Sequence, residues 1–329
     1  MITAKRLPIA FLTAAMLIVA ACGGGGGNLG SVPPASPSPS ASTDPGPDLT
    51  PEPSATPTSV PSSAPSSEPS SDPSVTPSPT ATPSETMIVR AYFVLGGEPG
   101  VEGLVPTLRD VPKSVAVATA AMHALLDGVP GGSRYAAIST AIPAGTDLLG
   151  LTIKNGVATV DLSTEFDSGG GSASMQYRLA QVVYTLTQFS TVKSVVFQID
   201  GQTVTVFGSE GINLDGPVDR ADFRDQLPSM FVDRPAFGAA LGNPGRVSGS
   251  ANVFEATFRV AILDRSGKVI ADEQVMATCG TGCWGTFDTR VSYSVSKAQW
   301  GTLRVYDPSE VDGSPTDVRD YPVWLTPGG

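Results

Sequence analysis

Histidine is almost missing from this chain: His123 is the single copy in 329 residues. A histidine-dependent catalytic triad has nowhere else to find its base, and a zinc site mixing His with Cys would be hard to assemble. His123 sits in a helix-like run among apolar neighbours, where a solvated or hydrogen-bonded imidazole is the ordinary reading. Cysteine is nearly as scarce, with Cys22, Cys279 and Cys283. Basic residues are outnumbered, 20 Lys and Arg against 31 Asp and Glu, for a formal charge of −11. So acidic a chain repels phosphate backbones, and nucleic acid is not an expected partner. The first apolar run, Leu7 to Ala21, is too short for a comfortable transmembrane helix.

That run instead reads as an export signal. Lys5 and Arg6 form its charged start, and it ends in Val19-Ala20-Ala21-Cys22. The tetrad resembles the bacterial lipobox, with Val19 where Leu is usual. The resemblance implies cleavage of a lipoprotein signal peptide, 1–21, and lipidation of Cys22. Two acyl chains are what stable anchoring needs, so a membrane is the first expected partner, reached through a lipid anchor. The expected address is extracytoplasmic, at the bacterial cell membrane. Outside the cytoplasm, Cys279 and Cys283 in "CGTGC" read as a disulfide rather than a metal site. So small a loop is worth roughly 2 kcal/mol in the entropic picture, enough to pin a hairpin tip.

Residues 22–86 read as a disordered stalk. Within 31–86 there are 16 Pro and 16 Ser in 56 positions, with neither Lys nor Arg. Such a segment has too little apolar surface to offset the entropy of ordering. In the polyproline limit it reaches on the order of 170 Å.

Globular texture begins at Met87. "MIVRAYFVL" (87–95) alternates as a strand does. Ser114 is placed to cap a helix over 115–127, with Ala118, Met122, Leu125 and Leu126 on one face. "LLGLTIKNGVATVDL" (148–162) is a hairpin turning at Asn155-Gly156. Met175, Leu179, Val182, Val183 and Leu186 form an amphipathic stripe on a helix over about 172–189. A second hairpin, 195–207, turns at Asp200-Gly201. The order β-α-β-β-α-β-β predicts an α+β domain: an antiparallel sheet with two helices on one face. A polar connection follows, in which Phe223, Leu227 and Phe231 are spaced to anchor one side of a short helix, although Pro228 interrupts it. From 236 on, strand-like runs at 253–264, 268–277, 284–295, 301–307 and 321–325 predict an all-β, immunoglobulin-like sandwich.

"DLSTEFDSGGGSASMQYR" (161–178) raises a sharper question. The glycines lack the lysine of a phosphate-binding loop, and Glu165 and Asp167 repel an anion. Asp161, Glu165 and Asp167 lack the spacing and terminal glutamate of an EF-hand, though an adventitious cation site stays open. The third reading is a structural corner, with Ser172 capping the helix.

"VATVDLSTEF…GGGSASMQYRLAQVVYTLTQFSTVKSVVFQIDGQ" resembles the GerMN domain of sporulation and germination proteins. Val160-Asp161-Leu162-Ser163, Arg178, Gln181, the Tyr184-Thr185-Leu186-Thr187 run and Asp200-Gly201 carry the likeness. Val253-Phe254-Glu255-Ala256, Trp284-Gly285 with Phe287, and "DPSEVDGS" resemble the bacterial spore-germination immunoglobulin-like domain. The resemblance implies envelope interaction modules and no transferable catalytic set. Arg178, Gln181 and Thr185 become candidate binding residues, with packing and hydrogen bonding as their alternative roles. The expected division is 1–21 signal, 22–86 stalk, 87–210 GerMN-like domain, 211–235 connection and 236–329 immunoglobulin-like domain. The expected function is a binding or assembly module without catalysis, cofactor or metal. Its expected partner is an envelope protein or a cell-wall polymer. A wall-active hydrolase using paired carboxylates and a solute-capturing lipoprotein are the alternatives.

Overall fold

The computed structural model describes residues 85–96 and 102–328. The export signal, Cys22 and all but the last two residues of the stalk lie outside them.

Strand β1 (Thr86–Leu95) pairs antiparallel with β2 (Gly103–Pro112) along its whole length, and its last two residues also meet β3 (Ile138–Ser139). A second sheet orders β4 (Leu148–Lys154), β5 (Val157–Leu162), β6 (Ser194–Ile199) and β7 (Gln202–Thr203). Asn155 and Gly156 both take positive φ, 52° and 86°, as a tight turn between β4 and β5 demands. Helices α1 (Val117–Leu126) and α2 (Ser172–Leu186) each touch strands of both sheets. The α+β class is as expected, with a finer difference. The sheet is divided in two, and β5 and β6 run parallel because α2 carries the chain back between them. Residues 206–207 also leave the expected second hairpin: β8 (Val206–Phe207) pairs with β9 (Ile212–Asn213).

β2 was not foreseen. "GLVPTLRDVP" holds two prolines, which a central strand would not tolerate, but β2 is an edge strand. Neither expected serine cap forms. The residue before α1 is Ala116 and that before α2 is Gly171, without a side-chain cap at either. Ser114 bonds Ala116 N in a local turn, and Ser172 Oγ donates to Glu210.

The second domain is a sandwich. One sheet orders β10 (Met230–Arg234), β12 (Gly245–Ala251) and β15 (Gly285–Val291). The other orders β11 (Ala240–Leu241), β17 (Pro315–Leu325), β16 (Gln299–Pro308), β13 (Thr257–Leu263) and β14 (Val269–Met276). Alternation turns Val247, Ala251, Phe287 and Val291 toward Phe258, Val260, Ile262, Leu303 and Val305. The rings of Phe258 and Phe287 meet edge-on across the sheets at 4.9 Å. Cys279 and Cys283 form a disulfide, with Cα atoms 5.9 Å apart, in the tip between β14 and β15. β10 falls inside the stretch read as connection, and β12, "GRVSGSA", is too rich in Ser and Gly to announce itself.

The expected helix through the connection is a correction. Only one 3-10 turn forms, over Arg224–Gln226, and Pro228 ends any continuation. Phe223 and Phe231 are nonetheless buried and Leu227 half-buried, with Phe231 carried by β10. One apolar cluster runs unbroken from the first domain into the second.

Candidate functional site

The residues singled out from the GerMN-like motif lie along one side of α2. Arg178, Gln181 and Thr185 are all buried. Beyond Val94 and Leu95, β1 has no strand on its second edge, so backbone groups there need other partners. Thr185 Oγ1 accepts from Tyr92 N at 3.2 Å, and Gln181 Nε2 donates to Tyr92 O at 2.9 Å. Gln188, just past the helix, repeats the pattern at Arg90: its Oε1 accepts from the amide at 2.8 Å and its Nε2 donates to the carbonyl at 2.7 Å. The helix thus offers side-chain amides and a hydroxyl where a strand would offer backbone. Sequence reading missed Gln188. Its spacing of seven from Gln181 and three from Thr185, on the same helical side, was the available signal.

Arg178 serves the glycine corner. Its guanidinium donates to the carbonyls of Ala141 (3.2 Å), Phe166 (2.5 Å), Ser168 (3.1 Å) and Gly169 (3.1 Å). Burial pulls its pKa down from the usual arginine range. Gly170 has φ +86°, and a Cβ there would crowd Ser174 Oγ at 3.0 Å and Arg178 Nη2 at 3.2 Å. The corner therefore wraps a cation belonging to the chain itself. The nearby acids disperse. Asp161 accepts from Gly201 N at 2.9 Å, while Glu165 and Asp167 face solvent. Among the described residues no three His, Cys, Asp or Glu side chains gather as a metal cluster would. His123 is exposed on α1.

The feature most able to meet something else lies where the domains join. Tyr92 OH donates to Asp233 Oδ1 at 2.7 Å, linking β1 to β10. Arg220 bonds Thr187 Oγ1 (2.8 Å) and Tyr184 O (3.1 Å), and its guanidinium lies 4.6 Å from the Tyr184 ring centre. Phe231 packs on both tyrosines. Burial pushes the Tyr184 phenol up to about 12, and Tyr92 is raised for the same reason. Backbone bonds join the domains as well. Phe237 N donates to Pro106 O at 2.7 Å, and Thr107 and Phe237 form a parallel bridge on the open edge of β2. Arg134 lies 4.5 Å over the Trp300 ring. Beside this seam is a cleft of about 560 Å³, floored by Ser248, Ser250, Thr286 and Asp288, with Arg220 and Asp233 on its wall.

Two stacked domains, an α+β unit and a sandwich joined by a shared core, define a two-module class. Residues 90–205 match the family described as "Sporulation and spore germination", and residues 229–314 match the "Immunoglobulin-like domain of bacterial spore germination". The first region is thus a GerMN-type domain and the second a spore-germination immunoglobulin-like domain. Similar solved structures include the first GerMN domain of the sporulation protein GerM from Bacillus subtilis, 26% identical. That match covers 42% of this chain and 100% of that one, with a TM-score of 0.35. The tandem GerMN domains of the same protein are 19% identical, with 65% of this chain covered, 64% of that chain and a TM-score of 0.36. At such scores the assignment rests on the two family matches. No curated protein matches the chain. Among the described residues no helix is long and apolar enough to cross a membrane.

Proposed function

We propose that this protein is a lipid-anchored extracytoplasmic binding or assembly module that acts through envelope contacts and performs no catalysis. The observation that carries the reading is the seam. A core continuous across both domains, with Tyr92, Asp233, Phe237 and Pro106 bonded over it, holds two surfaces in one fixed relation. A rigid platform suits recognition of an extended partner, because the orientation entropy is settled before binding. The polar side of α2 is already bonded to the chain's own backbone, so Arg178, Gln181 and Thr185 act by holding the platform's shape. The lipobox-like Val19-Ala20-Ala21-Cys22 supports the anchor, and neither matching family description names a reaction.

Fractionation tests the anchor: Cys22→Ser should leave an uncleaved precursor or move the protein out of the membrane fraction. Crosslinking the full chain in native envelopes tests the module and should recover one defined envelope component. Hydrolysis of purified envelope polymer, abolished by a single Asp or Glu change, would overturn the non-catalytic reading.

A further inference from the structure

The solvent side of the three-stranded sheet carries a surplus of guanidinium. Arg246 on β12 stands directly opposite Arg290 on β15, and in the next row Ser248 lies between Arg234 on β10 and Asp288 on β15. Val247 and Ala251, alternating with these positions, are buried, so all four charged side chains share the outer face. Asp288 forks onto Arg246, with Nε at 2.9 Å from Oδ1 and Nη2 on the other oxygen. That bond to Arg246 holds the Asp288 carboxyl below its ordinary range, and Arg290 and Arg234 add to the effect. Within these rows one carboxylate answers three guanidinium groups, on a chain whose overall charge is −11; where the face meets the seam cleft, Arg220 and Asp233 add one charge of each sign, and Asp233 accepts from the Tyr92 hydroxyl. Like charges directly opposite across strands work against folding. The arginines are exposed, so core packing gives no return for that cost.

Arginine forks onto phosphate and carboxylate oxygens. The same face runs on into the seam cleft, where Ser248, Ser250, Thr278 and Thr286 offer hydroxyls. We infer that this face binds a polyanion of the cell envelope whose phosphates or carboxylates are borne on a polyol or sugar backbone. The anions would sit on the arginine rows and the backbone hydroxyls on the Ser/Thr floor. The inference rests on the binding-module reading and gives its partner a chemistry. The acidic remainder of the chain does not forbid it, because charges beyond about 8–10 Å are screened at physiological salt. A bilayer fits less well: the strands of this face expose no large apolar side chain to enter it.

The test titrates the full chain in neutral detergent with a poly(glycerol phosphate) oligomer, and in separate arms with inorganic phosphate and with glycerophosphoglycerol, the water-soluble headgroup of phosphatidylglycerol. The wild-type chain should bind the oligomer, more weakly as salt rises. Arg234→Gln with Arg290→Gln should weaken binding roughly tenfold or more, with an unchanged or higher melting temperature. Arg290→Glu separates folding from binding further, since it gives Arg246 a second acid and should stabilise the sheet while abolishing oligomer binding. Wild-type affinity in these variants, no oligomer binding by the wild type, or binding of inorganic phosphate or the headgroup as tight as that of the oligomer would each overturn the inference. A defined crosslink in native envelopes that survives Arg290→Glu would leave the module reading standing and remove this face from it.

Discussion

Arg178 and Arg290 are the same side chain in opposite circumstances. Arg178 is buried on α2 and surrounded by four carbonyl oxygens of its own chain. Arg290 is exposed on β15, opposite another arginine, near one carboxylate already bonded to that neighbour. The first makes four hydrogen bonds that shape a loop. The second adds only a charge near Asp288, whose carboxylate is already forked onto Arg246. Residue type alone did not separate them. The Arg178 region carried the family motif and so attracted attention as a candidate site, yet its hydrogen-bonding capacity is directed inward.

Substitutions should widen this contrast. Arg178→Met removes the cation from four carbonyls, that of Phe166 buried and the others nearer solvent, and we expect a loss of about 3 kcal/mol in urea unfolding. Gln181→Leu keeps the shape but leaves Tyr92 O and Ala141 N without their partner, for about 2 kcal/mol by the same measurement. Alkaline unfolding gives the next effect. The ordinary tyrosine value is 10.0 and the folded value of Tyr184 is about 12. Its contribution is thus intact below pH 10 and is lost as pH rises toward 12. Phenolate absorbance should lag behind free tyrosine until the seam opens, and early titration of all tyrosines would mean the seam is loose. Arg290→Gln should be the smallest, within about 0.5 kcal/mol and on the stabilising side. A large loss there would erase the distinction between the two arginines.

How much could be read beforehand follows from where the determining contacts lie. The amphipathic stripe from Met175 to Leu186 and the Asn155-Gly156 turn are local, and α2 and the β4–β5 hairpin appear where they were expected. β2 and β12 were hidden because edge position excuses Pro106 and Pro112, and because a strand that presents Ser248 and Ser250 to solvent resembles a loop. Phe223 and Phe231 were legible as buried, but the elements carrying them were not. Pro228 divides a 3-10 turn from a strand whose partner, Ser250, lies beyond any local window. The arginine face was invisible for the same reason: Arg234, Arg246 and Arg290 stand on three different strands and meet only through register.

β1 also has a mechanical place. The strand is held at its N-terminal end, where Lys113 N bonds Glu85 O at 2.8 Å and Lys113 Nζ bonds the Glu85 carboxylate at 2.7 Å. Tension applied from the N-terminal side enters β1 first, at the mouth of a ten-residue ladder. Six residues on from Thr86, the same strand presents Tyr92, whose hydroxyl holds Asp233 of the neighbouring domain. A pull from the N-terminal side is therefore borne by the strand that also clasps the sandwich, so the end of the β1–β2 ladder and the hold on the second domain share one mechanical element.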